Sequence, residues 1–190
     1  MKRWLILAML ATVSAAWAQD AEQLMIKPPA GWKVGFHERR GAVEITEIVP
    51  PGQTTAAWQD MLVVELIDGK PAVDKDVQTI LRNRVEEVRA DCPSVGAGET
   101  SLSTDNGYES GMRAIACPRS KKWNKGEVSL FKVILGNDRT YVVIRSWRSE
   151  PFEKTKVTLP ADKMTEWLGF MAKVVVCDPR DPNRACPVKK

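Results

Sequence analysis

The sequence predicts one α+β domain: an antiparallel sheet of about six strands, helices packed mainly on one face, and two disulfides. Three observations carry this prediction. Asp105-Asn106-Gly107 is the strongest hairpin signal in the chain, because Asn-Gly accepts the positive φ angles of a two-residue turn. Residues 127–135 and 140–147 are almost continuously apolar on either side of a Gly136-Asn137-Asp138 turn. Residues 71–90 place valine, isoleucine and leucine at three- and four-residue steps, the period of an amphipathic helix.

The chain after residue 20 opens with a predicted lead-in and a hairpin. Residues 21–29 show no regular pattern and are predicted to be loosely held. Residues 32–36 alternate apolar side chains with polar or small ones, as a half-buried strand does. A polar turn at 37–41 then leads into a partner strand at 42–49.

A corner follows this hairpin. Pro50-Pro51-Gly52 ends the strand, because proline cannot donate to a sheet ladder and glycine permits a sharp reversal. Beyond it we predict a short helix at 55–60 that carries Trp58, and then a strand at 61–67. The apolar spacing of this stretch fits either structure, so periodicity alone leaves both open.

The second half of the chain is predicted to supply most of the sheet. Pro93 ends the 71–90 helix, because the residue before a proline is pushed out of the helical region. Strands at 99–104 and 108–117 flank the Asn-Gly turn, and the two apolar strands that follow are placed centrally. A last helix begins at Pro160, and its buried stripe consists of Met164, Trp167, Leu168 and Met171.

The first 18 residues resemble a secretory signal peptide. Lys2 and Arg3 precede the apolar run 4–13, and Ala16-Trp17-Ala18 is a small-x-small cleavage site. An uncleaved membrane anchor is the alternative. Cleavage of 18 from 190 residues leaves a 172-residue mature domain, 19–190, and lowers the net charge from +4 to +2 by removing Lys2 and Arg3. We therefore expect a periplasmic or secreted protein that does not bind nucleic acid.

Four cysteines lie in the exported part: Cys92, Cys117, Cys177 and Cys186. An even number of cysteines in an oxidising compartment indicates disulfides. Three pairings are open, and we favour Cys92–Cys117 and Cys177–Cys186, the pairs nearest in sequence. A four-thiolate zinc site is the competing interpretation, but no Cys-x-x-Cys pair occurs.

Residue types that carry catalysis form no recognisable motif. His37 is the one histidine of the chain, and it precedes an Arg-Arg-Gly turn rather than a nucleophile motif. Carboxylates are plentiful near the first half of the sheet, and solvated strand faces explain them by default. They are Glu44, Glu47, Glu65 and Asp68. We expect no metal and no cofactor, since neither a calcium loop nor a glycine-rich phosphate loop is present.

A basic loop carries the candidate binding residues. Between Pro118 and Gly126, four cations surround one indole. We select Lys121, Lys122, Trp123 and Lys125 as the binding residues. Such a group can bind an anionic surface or an acidic protein, although a solvated hairpin loop explains the composition equally well. Of the five tryptophans after residue 18, Trp123 is the one we predict to be exposed.

Residues 44–66 resemble a pattern of small secreted uncharacterised proteobacterial proteins, in which a strand is followed by V-P-x-G-x-T, a tryptophan and a methionine. In this chain these are Val49 to Thr54, Trp58 and Met61. Later pieces also look alike: Cys92-Pro93, Cys117-Pro118, Trp147-Arg148, Cys177-Asp178-Pro179-Arg180 and Cys186-Pro187. The resemblance implies no activity. The order of elements also resembles the PsbP-like α/β sandwich, which implies a binding and assembly fold.

Three functions remain open from the sequence. The first is an exported non-catalytic protein that binds a protein or an anionic envelope component. The second is a small-ligand-binding periplasmic protein with a pocket between the sheet and helices carrying Trp58 and Trp167. The third is a carboxylate-based envelope hydrolase, which needs two carboxyl groups facing each other across a cleft.

Overall fold

The protein is described by a computed structural model that covers residues 21–70, 76–154, 156–157 and 159–187. The predicted signal peptide and the first residues of the 71–90 helix lie outside the described residues. The described residues form ten strands, eight of them in one antiparallel sheet of order β2-β3-β4-β9-β8-β7-β5, with β6 also paired to β7. β1 and β10 form a separate antiparallel pair. The predicted α+β class with an antiparallel sheet is confirmed, but the predicted count of about six strands is too low.

The elements follow one another along the chain with short connections. The strands are β1 Gln23–Met25, β2 Lys33–Arg40, β3 Val43–Val49, β4 Asp60–Asp68, β5 Gly96–Ala97, β6 Ser101–Asp105, β7 Tyr108–Cys117, β8 Gly126–Leu135, β9 Arg139–Ser149 and β10 Val175–Cys177. The helices are α1 Val77–Asp91, α2 Ala161–Met171 and a 3₁₀ turn at Pro182–Arg184. No helix among the described residues is both long enough and apolar enough to cross a bilayer.

The two helices cover opposite faces of the sheet, so the prediction that they pack mainly on one face is wrong. Val133 and Val142 point to the α1 side, where Val77, Leu81 and Val85 of the helix meet them. The adjacent residues Ile134 and Tyr141 point to the α2 side. Successive side chains of a strand face opposite ways. The continuous apolar runs of β8 and β9 are therefore explained by burial of the sheet on both faces.

Three segments differ from their predicted structure. Residues 55–59 form bends rather than a helix. Gln53 closes this loop instead, since its side-chain oxygen accepts hydrogen bonds from the N–H groups of Gln59 at 2.6 Å and Asp60 at 3.2 Å. The lead-in is firmly held, because Glu22 is buried and β1 pairs with β10. The predicted 37–41 turn is shorter than expected, since β2 continues to Arg40.

Both favoured disulfides are confirmed. Cys92 at the end of α1 is bonded to Cys117 at the end of β7, with Cα atoms 5.7 Å apart. Cys177 at the end of β10 is bonded to Cys186, with Cα atoms 4.8 Å apart. The first bond holds α1 to the sheet, and the second closes the C-terminal tail against the β1–β10 pair.

A buried lysine joins α2 to the sheet. Lys132 of β8 is 2% exposed, and its ammonium group donates to the carbonyl oxygens of Met171 at 2.8 Å and Val174 at 2.9 Å. Its charge is balanced by Asp105, whose carboxylate lies 2.8 Å away and also accepts from Ser110 at 2.7 Å. Burial alone would raise the pKa of Asp105, but the hydrogen bonds from Lys132 and Ser110 outweigh it and lower that pKa.

We predict that Asp105→Asn destabilises the protein by about 2–3 kcal/mol, because a buried ammonium loses its carboxylate. The loss should appear as a melting temperature roughly 5–10 °C lower at pH 7. Since the folded pKa of Asp105 is lowered, its contribution is present above about pH 4 and is lost as the pH falls further. The difference between variant and wild type should therefore shrink below pH 4. The double variant Asp105→Asn/Lys132→Met, which removes both charges, should recover most of the loss; a double variant no better than the single one would contradict the pairing.

Candidate functional site

The part of the sheet that α1 leaves uncovered forms a groove. α1 packs chiefly on β7 and β8 and reaches Val142 of β9, whereas the same face of β3 and β4 continues beyond the helix. The cavity above these strands has a volume of about 490 Å³ and is open on its solvent side. Apolar side chains from several strands make up much of its floor: Ile45, Met61, Val63, Phe131 and Ile144. This size lies within the range of sites that take small molecules or single side chains.

Two loops bring a tryptophan each to the groove. Trp58 comes from the 50–59 loop, which turns back on itself where the N–H of Ala57 donates to the hydroxyl oxygen of Thr54 at 3.1 Å. Trp123 comes from the 118–125 loop, and its main-chain N–H donates to the hydroxyl oxygen of Ser120 at 3.1 Å. Ser120 in turn donates to the carboxylate of Asp91, the last residue of α1. The end of α1 therefore positions the Trp123 loop.

Arg148 of β9 lies between these two indoles. Its guanidinium carbon is 3.8 Å from the centre of the Trp58 ring and 5.2 Å from that of Trp123. Nη2 donates to Glu127 at 3.3 Å, and the buried Nε has no hydrogen-bond partner among the described residues. The arginine side chain is 13% exposed. Contact with the indole faces replaces part of the lost hydration of this cation, and its ionic bond to Glu127 is long.

Three carboxyl groups of the groove have raised pKa values. Burial raises the pKa of Glu127 and of Glu47, and the positive charge of Arg148 offsets this only in part. Burial likewise raises the pKa of Glu65, against the opposing effect of its partner Arg84. The side chain of Glu47 forms no hydrogen bond or ion pair within the described part of the chain, and the positive charge of Arg148 is what opposes the rise in its pKa. The Glu47 carboxylate therefore has no bonded cation in the described part of the chain.

A second cavity, of about 620 Å³, lies on the opposite face between α2 and residues 25–29. Its one deeply placed charged group is Arg145, which is 0% exposed and bonded to Asp60 at 3.1 Å and Glu166 at 3.2 Å. The guanidinium carbon also lies 4.8 Å from the centre of the Trp32 ring. Because Arg145 lines this cavity but is fully buried and already bonded to two carboxylates, we place the candidate site in the α1-side groove, where an exposed indole is available.

The groove has the composition of a binding surface. Its hydroxyl groups Ser129 and Ser146 hydrogen-bond to each other at 2.7 Å. His37 lies elsewhere, on β2, with Nδ1 3.0 Å from the hydroxyl oxygen of Thr46. The four cysteines are all in disulfides. The described groove residues thus bring no serine or cysteine nucleophile beside a histidine base.

The structure places the four predicted binding residues on one loop but gives them different surroundings. Trp123 is 47% exposed, as predicted, and lines the groove. Lys122 lies over its indole with Nζ 4.6 Å from the ring centre. Lys121 donates to the carbonyl of Ala90 at 3.2 Å, and Lys125 pairs with Glu150. Of these four residues only Trp123 is a groove residue, and their role in binding stays a prediction.

Two other expectations about the site change. The predicted pocket between the sheet and the helices of Trp58 and Trp167 does not form, because Trp58 lies on a loop and Trp167, a residue of α2, is fully buried against the other face of the sheet. The four carboxylates considered together in sequence are split between the faces. Glu47 and Glu65 line the groove, whereas Glu44 and Asp68 point to the α2 side, where Arg39 bonds to both.

Sequence reasoning missed Arg148 and Glu127 as site residues, although a signal for them existed. They are direct cross-strand partners in the β8–β9 hairpin. Once the Gly136-Asn137-Asp138 turn is recognised, the pairing of Leu135 with Thr140 determines all cross-strand pairs farther from the turn. The pair of Glu127 with Arg148 is one of them. The predicted strand ended at Trp147, one residue too early to show the pair.

Comparison with known proteins identifies the fold. No protein-family model matches the chain, and no curated protein matches it significantly in sequence. Its structure is similar to the crystal structure of the Ran-binding protein Mog1p of Saccharomyces cerevisiae, with a TM-score of 0.51 and 14% identity over 82% of this chain and 93% of that chain. A mutant of Mog1 is more distant, with a TM-score of 0.44 and 14% identity over 78% of this chain and 84% of that chain. At this identity the similarity to Mog1p shows a shared fold alone.

We predict that replacing Lys121, Lys122 and Trp123 together with alanine changes the free energy of unfolding by less than about 1 kcal/mol, because all three side chains are exposed. Ser120→Ala, in the same loop, is the contrast. It should cost about 1–2 kcal/mol, because Ser120 is buried and bonded to Asp91. Urea unfolding of both variants measures this, and a triple variant less stable than Ser120→Ala would show that the loop side chains belong to the core.

We also predict that Glu127→Gln stabilises the protein more at pH 7.5 than at pH 4.5. The folded pKa of Glu127 is raised, so its carboxylate costs stability above that pKa, and the cost disappears as the pH falls through it. Glutamine keeps an oxygen that can accept from Arg148. Melting temperatures at both pH values test this, with the exposed Glu99→Gln as control. A pH-independent difference between Glu127→Gln and wild type would contradict the raised pKa.

Proposed function

We propose that this protein is an exported, non-catalytic binding protein whose partner, a protein or an envelope component, docks at the α1-side groove. The observation that carries the proposal is the exposed indole of Trp123 at the mouth of a groove that already holds Trp58 and Arg148. Tryptophan and arginine are the residues that most often dominate binding energy at protein interfaces. Export is supported by the two disulfides and by the signal-like first 18 residues.

The alternatives make different use of the same groove. A small-ligand-binding role is favoured by the cavity volume of about 490 Å³. A carboxylate-based hydrolase has one point in its favour, the raised pKa values of Glu47 and Glu127. Its acid and base would work on either side of a substrate bond, but here both carboxyls act on the same arginine. Fold similarity to Mog1p supports none of the three over the others.

The test is capture of partners from envelope extract by the immobilised mature protein. We expect Trp123→Ala to reduce capture of a specific partner about tenfold or more, because it removes the largest exposed apolar side chain of the groove. Leu168→Ala is the matched control, since Leu168 is also an exposed apolar residue, 44% exposed, but lies on α2. Capture that is equal for wild type and Trp123→Ala, or equally weakened by both variants, would contradict docking at the groove.

A further inference from the structure

The described residues that line the groove are strongly unbalanced in charge. Five are acidic, namely Glu47, Glu65, Glu87, Asp91 and Glu127, and one, Arg148, is basic. Arg84 pairs with both Glu65 and Glu87. Asp91 is held by a hydroxyl and a main-chain N–H, from Ser120 and Lys122. No cation is therefore bonded to Asp91 in the described structure, and several negative charges of the groove are uncompensated.

The imbalance is sharpest between the two indoles. Arg148 is bonded to Glu127 at 3.3 Å and acts on Glu47 only through its charge, so the Glu47 carboxylate has no bonded cation among the described residues. The two carboxylates near Arg148 therefore exceed the positive charge of that residue by one. Two basic residues of the Trp123 loop are bonded elsewhere, Lys121 to the carbonyl oxygen of Ala90 and Lys125 to Glu150, and Lys122 lies over the Trp123 ring without lining the groove.

The walls of the groove suit a cation carried on an apolar stem. The floor next to Glu47 is apolar, formed by Ile45, Met61 and Val63, and can cover the methylene groups of a long side chain. The indole of Trp123 faces the same space and already attracts the ammonium group of the exposed Lys122. Because the groove is open on its solvent side, the stem can extend to a larger body outside it.

We propose that the groove receives a lysine or arginine side chain of a partner protein, with its charge at Glu47, whose carboxylate has no bonded cation among the described residues, and its stem on the apolar floor. This inference rests on the proposed function and names the chemistry of the partner. The raised pKa values of Glu47 and Glu127 agree with it, because a bound cation would balance charges that burial now disfavours.

Calorimetric titration of the mature protein with three blocked pentapeptides tests the proposal. They share one apolar sequence and carry lysine, norleucine or glutamate at the centre. We expect the lysine peptide to bind at least tenfold more tightly than the norleucine peptide and the glutamate peptide to bind least. Equal binding of all three, or tighter binding of the glutamate peptide, would overturn the proposal.

A titration with n-butylamine distinguishes the side chain of a partner protein from a free amine. n-Butylamine should bind at least tenfold more weakly than the lysine peptide, and equal or tighter binding would overturn the assignment to a partner protein.

Two charge-matched double variants locate the effect. Glu47→Gln/Glu127→Gln should weaken the lysine peptide about tenfold. Glu38→Gln/Glu99→Gln removes the same charge outside the groove lining and should leave affinity within about twofold. Melting temperatures confirm that both double variants fold. If Glu47→Gln/Glu127→Gln does not fold, the single variant Glu47→Gln replaces it in the titration. If Trp123→Ala abolishes partner capture while the groove double variant retains full affinity, the cation proposal fails and docking at the groove stands. If neither change has an effect, both fail.

Discussion

The sheet is wider than the helix that packs on each of its faces, and this difference in width determines where the groove lies. Seven strands side by side span about 29 Å between the outer strands, whereas one helix is about 10 Å across. Each face of the described sheet carries one long helix, and α1 packs chiefly on β7 and β8 and on part of β9, so the residues of β3, β4 and β9 that line the groove stay uncovered. On the other side the β1–β10 pair and the segment after α2 extend the cover, and Lys132 joins that layer to the sheet. The groove is the uncovered remainder of the α1 face.

Stability and exposure work against each other in the groove. Buried carboxylates with raised pKa values and an arginine with one unbonded N–H destabilise the folded state. The contacts that offset this are the indole faces on either side of Arg148. On the opposite face Arg145 is enclosed completely and bonded to two carboxylates, although its Nε and Nη1 also lack hydrogen-bond partners among the described residues. The two clusters differ in access, because the groove around Arg148 is open to solvent on one side.

Much of the sheet follows from local sequence rules. The Asn106-Gly107 turn, where both residues have positive φ, forms the predicted hairpin, and β7 has the predicted bounds. The apolar runs of β8 and β9 lie centrally, as their composition indicates. By contrast β1, β5 and β10 have only two or three residues each. Strands this short show no period, and they exist only because a partner strand is in place.

The sequence by itself predicted the class of the fold and the central hairpin, and it favoured, among three possible pairings, the one between cysteines nearest each other along the chain. Each depends on residues close in sequence, where turn chemistry and side-chain period act directly. Only the tertiary structure decided which face each helix covers, and that Trp58, Trp123 and Arg148 meet in one groove. These three residues come from two loops and a strand that are far apart along the chain. Their contact depends on strand order and on where α1 ends, which no local pattern contains.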